Sequence, residues 1–128
     1  MTPVARTRLS DMSPIYDHAG SLRRMGDDHE LFQEMVELLR SDAPLHLQAL
    51  ASAHRNDDSP RVHRAAHTLK GLAANFGAPR AVAAAAEVER LAKLHQSADL
   101  SAAISELQEA LDELIAALSP RHEVSHLR

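Results

Sequence analysis

The chain has 128 residues, enough for one domain with its own core, and carries 14 basic against 18 acidic residues for a net charge of -4. The complete lack of cysteine excludes disulfides, thiolate metal sites and cysteine nucleophiles. Aromatic residues make up 2% of the chain and the charges are intermixed, so nucleic acid is not an expected partner.

Apolar stretches are short and rich in alanine, and the opening MTPVARTRLSDM lacks the apolar core of a signal peptide. The expectation is a cytoplasmic protein without membrane contact. Alanine and leucine dominate the apolar 45%, with few β-branched or aromatic residues, which is the balance of an all-α protein.

Residues 1–13 show no periodicity and read as a mobile N-terminal arm. Asp17 is placed to cap a short helix through Met25 that buries Leu22 and Met25, with Gly26 ending it and Asp27 or Asp28 starting the next. A long helix follows from about Asp28 to Ala53, its apolar side formed by Phe32, Met35, Val36, Leu39, Ala43, Leu47 and Leu50. The apolar stripe keeps its phase across Pro44, which predicts one helix kinked near Arg40 to Ala43 and not two helices.

After the break AHRNDDSP, Ser59 as N-cap and Pro60 at the first helical position predict a third helix. Val62, Ala65, Ala66, Leu69, Leu72, Ala73 and Phe76 form its buried stripe. His63, Arg64, His67, Lys70, Gly71 and Ala74 fall on the opposite side or its flank. Gly77 closes this helix and Pro79 opens a fourth, which runs to about His95. So short a turn makes the two helices antiparallel neighbours. Equal rise per residue puts Val88 or Glu89 at the level of His67, with Val82, Ala86, Glu89 and Lys93 as the adjoining stripe. Asp99 is the expected cap of a fifth helix, where Ile104, Leu107, Leu111, Leu114 and Leu118 step by three and four, as in a bundle seam. Ser119 and Pro120 end it, and residues 120–128 read as a C-terminal tail. The architecture predicted for residues 14–119 is an antiparallel four-helix bundle with an additional short N-terminal helix.

The most informative stretch is VHRAAHTLKGLAANFG, residues 62–77. Gly71 lies one helical turn after His67 on the same face, and a glycine inside a helix costs about 0.5–1 kcal/mol relative to alanine. In a chain so rich in alanine, this choice implies that the space beside His67 is kept empty for a purpose.

His67, Leu69, Lys70, Gly71 and Gly77 follow a pattern of histidine, leucine at two, lysine at three, glycine at four and glycine at ten residues on. In this pattern and in its helical layout the chain resembles the histidine phosphotransfer (HPt) domain family. The resemblance implies that His67 carries a phosphoryl group between a sensor histidine kinase and response-regulator receiver domains, or between two receivers. It also implies a phosphocarrier without a kinase of its own. Two positions depart from the family pattern: Leu72 stands where serine is common, and Glu89 where glutamine often lies beside the histidine. Leu72 falls on the core stripe. Glu89 is placed to accept a ring N–H of His67 and orient the other nitrogen, while Lys93 is placed to offset its charge.

The chemistry also follows from the residues themselves. Phosphoryl transfer needs positioning and charge stabilisation more than covalent help from the protein. An imidazole, with a reference pKa of about 6.5, offers a neutral nitrogen nucleophile near pH 7. Lys70 is suited to screening phosphoryl oxygens, and Gly71 to admitting a partner loop. No magnesium site is visible in the sequence, so no cofactor is expected beyond magnesium supplied by the receiver.

Other readings compete. His63 and His67 are four apart and suited to gripping a metal, but two nitrogens without a third ligand make a weak site, so no metal centre is expected. Glu87, Glu89, Arg90 and Lys93 also fit a solvated face with local ion pairs. Leu31, Met35 and Leu38 are candidates for a docking patch, although most are expected in the core. The alternative to a phosphocarrier is a non-phosphorylated helical adaptor that binds a receiver or another protein. A monomer is expected in either case.

Overall fold

The computed structural model describes residues 14–119, which form five helices without strands: α1 (His18–Arg24), α2 (His29–Arg55), α3 (Ser59–Ala74), α4 (Pro79–Lys93) and α5 (Ser97–Leu118). The predicted N-terminal arm and C-terminal tail fall outside the described residues. Helices α2 to α5 make the bundle, with α3 packed most extensively on α4. Among the described residues no helix is long and apolar enough to cross a membrane.

Helix α1 starts as the sequence predicts. The Asp17 side chain accepts the Gly20 N–H at 3.0 Å, and the Ser21 hydroxyl donates to the Asp17 carbonyl at 2.6 Å. Leu22 and Met25 are half-buried against the core. The helix docks on the far end of α3: Asp17 N–H donates to the Phe76 carbonyl at 2.9 Å, and Arg24 Nη2 donates to the Asn75 carbonyl at 3.2 Å. The last carbonyls of α3 are thereby satisfied by a cation, the favourable charge for a helix C-terminus.

Helix α2 runs through Pro44 without interruption, capped by Asp28, whose side chain accepts the Leu31 N–H at 3.0 Å. Phe32, Val36, Leu39, Ala43 and Leu50 are buried as the spacing predicts, and Met35 and Leu47 are half-buried. Leu31 and Leu38 are exposed, so the expectation that most of the Leu31, Met35 and Leu38 set would enter the core does not hold. The reason is angular: the two leucines lie on the border of α2 that faces the α3 groove and solvent.

Two caps differ from the sequence reading. The N-cap of α3 is Asp58, whose carboxylate accepts the Arg61 N–H at 3.3 Å, and Ser59 is already helical. Aspartate and serine are near-equal caps, and the carboxylate also meets the positive end of the helix dipole. The N-cap of α5 is Gln96, with no side-chain bond, and Asp99 sits in the first turn. An acidic residue there complements the same dipole.

Four helix ends share one hydrogen-bond pattern. Asp27 N–H reaches the Leu22 carbonyl, Asp58 the Ala53, Ala78 the Ala73 and Gln96 the Leu91 carbonyl, each five residues back, with a second bond nested inside. This is the Schellman closure, which needs a left-handed residue just past the helix. Gly26 (φ 72), Asp57 (φ 56), Gly77 (φ 57) and His95 (φ 56) fill that position. Gly26 and Gly77 were expected at helix ends, whereas His95, expected as the end of α4, is the left-handed residue beyond it.

The α3–α4 contact is lined by small buried residues, Ala66 and Ala73 on one side and Ala81, Ala85 and Ala92 on the other. Small contacts shorten the distance between helix axes. A side chain of ordinary length on α4 can therefore reach across to the outer face of α3.

Candidate functional site

His67 stands on the outer face of α3, its side chain 67% exposed. Leu69, Ala66 and Ala73, on the opposite face, are fully buried and fix the rotation of the helix. The imidazole Nδ1 lies 2.7 Å from Oε2 of Glu89 on α4, the level that equal helical rise predicts. Lys70 Nζ holds the other carboxylate oxygen, Oε1, at 2.6 Å. His67 and Lys70 thus grip one carboxylate from a single turn of α3.

Glu89 is the one charged residue in the core of the described chain, with 11% of its side chain exposed. Burial pushes its pKa up, but the hydrogen bonds and charges of Lys70 and His67 outweigh that and hold it below the ordinary glutamate value. The carboxylate is therefore ionised at neutral pH and can only accept. The proton in the His67 bond must sit on Nδ1, so in the neutral ring the lone pair is on Nε2.

The neighbours divide around this pair. His63, one turn before His67, lies parallel to it, with ring centroids 6.4 Å apart and an interplanar angle of 5°. Its Nε2 is 3.8 Å from Glu89 Oε2. Among the described residues no group of three or more His, Asp or Glu side chains is arranged to hold a metal ion. Gly71 is exposed, and a Cβ built on it meets nothing within 4 Å. Close packing inside the chain therefore does not explain this glycine. Ala74 continues the open face one turn on, and Arg64 borders it on the other side.

Lys93 does not take the position expected for it. The ion-pair partner of Glu89 is Lys70, and Lys93 lines a separate groove of about 380 Å³ with Ser59, Pro60, His63, Ala92 and His95. Lys93 lies one turn beyond Glu89, beside the start of α3, so its charge serves the His63 end and not the His67 end. Leu72, expected in the core, is half-buried. Glu87 and Arg90 pair with each other at 2.7 Å on the solvated face and take no part in the site.

On the α2 side the sequence reading names Leu31 and Leu38 as docking candidates but misses a groove and Leu45. His46, Ala49, Arg61, Arg64, Ala65 and Thr68 line a groove of about 270 Å³ between α2 and α3, on the Arg64 and Thr68 flank of the helix face that carries His67. Leu45, 62% exposed, lies four residues before Ala49 and so borders the same groove. Leu31, Leu38 and Leu45 recur every seven residues and share one face of α2. That seven-residue spacing was the available signal, and it is hidden in sequence by the larger core stripe beside it.

A family model described as the Hpt domain matches residues 34–117. The fold is similar to the crystal structure of histidine-containing phosphotransfer protein B (HptB) from Pseudomonas aeruginosa PAO1, with a TM-score of 0.77 at 18% identity, covering 91% of this chain and 99% of that one. No curated protein matches in sequence. The family match spans more than half of the chain, from the first turns of α2 to the end of α5, and includes the whole His67 site: the chain belongs to the Hpt domain family.

Proposed function

We propose that residues 14–119 act as a monomeric cytoplasmic phosphocarrier, with His67 accepting a phosphoryl group on Nε2 and passing it to or from the aspartate of a response-regulator receiver domain. Membership of the Hpt domain family supports reading the chain as a phosphocarrier and not as an enzyme with turnover of its own. The observation that carries the reading is the exposed His67 ring with Nδ1 bound to Glu89 at 2.7 Å, which turns the basic Nε2 away from the protein.

In the accepting direction the Nε2 lone pair attacks phosphorus of the receiver's aspartyl phosphate. The N–P bond forms as the O–P bond breaks, and the electron pair leaves with the receiver carboxylate. Magnesium belongs to the receiver in this scheme, and a sensor histidine kinase loads the relay upstream. Lys70 keeps Glu89 neutralised, so that the incoming phosphoryl group does not meet an uncompensated carboxylate. Gly71 and Ala74 leave the approach to His67 open. His63 and Arg64 flank it with basic character suited to a partner whose active site is acidic. Leu38 and Leu45 provide the adjoining apolar contact, and the α2–α3 groove adds Arg61 and Arg64.

The test is incubation with a phosphorylated receiver domain and magnesium. The expected product is an acid-labile, base-stable label on the chain, absent from His67→Gln. A label that persists in the variant would overturn the assignment. Receiver binding that is tight, unlabelled and indifferent to the substitution would instead favour a non-phosphorylated adaptor.

A further inference from the structure

Lys70 is the cation that a phosphoryl group on His67 is expected to meet, yet its ammonium is already bound to Glu89 Oε1 at 2.6 Å. The other groups of α3 that carry or can take a positive charge divide unequally. Arg61 faces the Asp58 cap at 3.9 Å, and His63 Nε2 lies 3.8 Å from Glu89 Oε2. Arg64 is exposed and makes no ion pair among the described residues, on a helix that contains no Asp or Glu. We infer that Arg64 holds the phosphoryl group while His67 carries it, an assignment that rests on the phosphocarrier reading of His67.

The position follows from helix geometry. A Cα–Cβ bond in a helix tilts toward the N-terminus, so the His67 ring lies over the turn that holds His63 and Arg64 and not over Gly71. The parallel His63 ring, its centroid 6.4 Å away, marks that turn. Glu89 takes Nδ1 on the α4 side at 2.7 Å, so Nε2 and any group on it point away from α4. Arg64 stands on that other flank, where it lines the α2–α3 groove with Arg61, Thr68 and His46. Residues three apart on a helix have Cβ atoms about 5–6 Å from each other, a distance that an arginine side chain spans.

The chemistry of the flank suits a phosphoryl group. A guanidinium presents a planar fork of N–H donors that matches two phosphoryl oxygens at once, and it stays charged at any pH where the domain is folded. No acidic side chain lines the groove to compete for it. The Thr68 hydroxyl is spent on the Arg64 carbonyl at 3.2 Å, and His46 lies across the groove on α2. Arg64 is therefore the one group of this flank that is both permanently charged and unpaired. A contact made only to the phosphorylated ring lowers the free energy of that state, so Arg64 sets how the phosphoryl group is shared between the chain and a receiver. A residue used for docking alone changes how fast the two come to balance and leaves the balance where it was.

The experiment reads that balance directly. The full chain is mixed with a phosphorylated, magnesium-loaded receiver domain, and the ratio of label on His67 to label on the receiver is followed until it is constant. Arg64→Gln should lower the final ratio by about threefold or more, and Arg64→Lys should lower it less, because an ammonium keeps the charge without the fork. Arg64 is exposed, so both variants should melt with the wild type. A slower approach to an unchanged ratio in Arg64→Gln would overturn the inference and make Arg64 a docking residue. An unchanged ratio reached at an unchanged rate would overturn it as well. Absence of label from the wild-type chain is a different failure, which would remove the phosphocarrier reading and the role of Arg64 with it.

Discussion

His67 and Glu89 are twenty-two positions apart in the chain, yet their side chains meet at 2.7 Å across the α3–α4 contact. The pair exists because the turn at Gly77 is tight and the contact is lined with alanine. Lys70 completes it from the same turn of α3 as His67, so the site is one cross-helix clamp with a free nitrogen on its outer side.

The clamp predicts a defined acid dependence. Glu89 titrates below its ordinary value of 4.5 in the folded chain. Its contribution to stability is therefore fully present above about pH 4.5 and is lost as pH falls through the lower folded value. Glu89→Gln should cost about 1 kcal/mol at pH 7, since both partners are partly solvated, and less as the pH falls from 4.5 toward 3. Urea denaturation at the two pH values checks this. An equal loss at both would show that the pair is not the source.

Gly71 sets stability against access. The space beside it is open, so Gly71→Ala should raise stability by about 0.5–1 kcal/mol, read as a higher melting temperature. Gly71→Gln should fold equally well but slow phosphoryl exchange with a receiver at least several-fold. Unimpaired exchange in that variant would remove the access role proposed for this glycine.

The left-handed helix ends give a matched pair of opposite expectations. Gly77→Ala should destabilise by about 1–2 kcal/mol, from the backbone alone. Its Cβ would also lie 2.9 Å from the Asp17 Cβ, which would push α1 off the end of α3. His95→Gly relieves a side chain at φ 56 and should stabilise by about 0.5–1 kcal/mol. Thermal unfolding of the two variants beside the wild type measures both.

Leu45 offers a test of the proposed partner surface. It is 62% exposed, so Leu45→Asp should change stability by less than about 0.5 kcal/mol. Placed beside the groove next to His67, the same substitution should weaken receiver binding about tenfold or more, by loss of apolar contact and added repulsion from an acidic partner. Calorimetric titration with a receiver domain provides the comparison. Unchanged affinity would move the docking surface away from α2.

The five helices, their order and most of the core were legible in the sequence because helix formation leaves a local record. The periodic returns of Val36, Leu39 and Ala43, or of Leu107, Leu111 and Leu114, follow directly from 3.6 residues per turn. Caps were less legible. Asp58 and Ser59 are adjacent and equally suited to start α3, so only the carboxylate bond to the Arg61 N–H decides between them. Leu31 and Leu38 were uncertain for a related reason: they lie at the edge of the apolar stripe, where a small rotation of α2 separates core from surface.

The sequence by itself determined an all-helical domain with His67 outward on its third helix, because His67 lies opposite an uninterrupted apolar stripe and Gly71 breaks the helix's own preference beside it. It also put Glu89 at the right height, since helical rise is fixed. Tertiary structure alone decided which cation answers that carboxylate. Lys70 and Lys93 are each one turn from the pair along their own helices, and the choice between them depends on the lateral approach of α3 to α4. With alanine at the contact, Lys70 reaches Glu89 across the gap while Lys93 is turned toward His63. The same approach of α3 to α4 brings the Glu89 carboxylate to Nδ1 of His67 and leaves Nε2 on the exposed side of the ring.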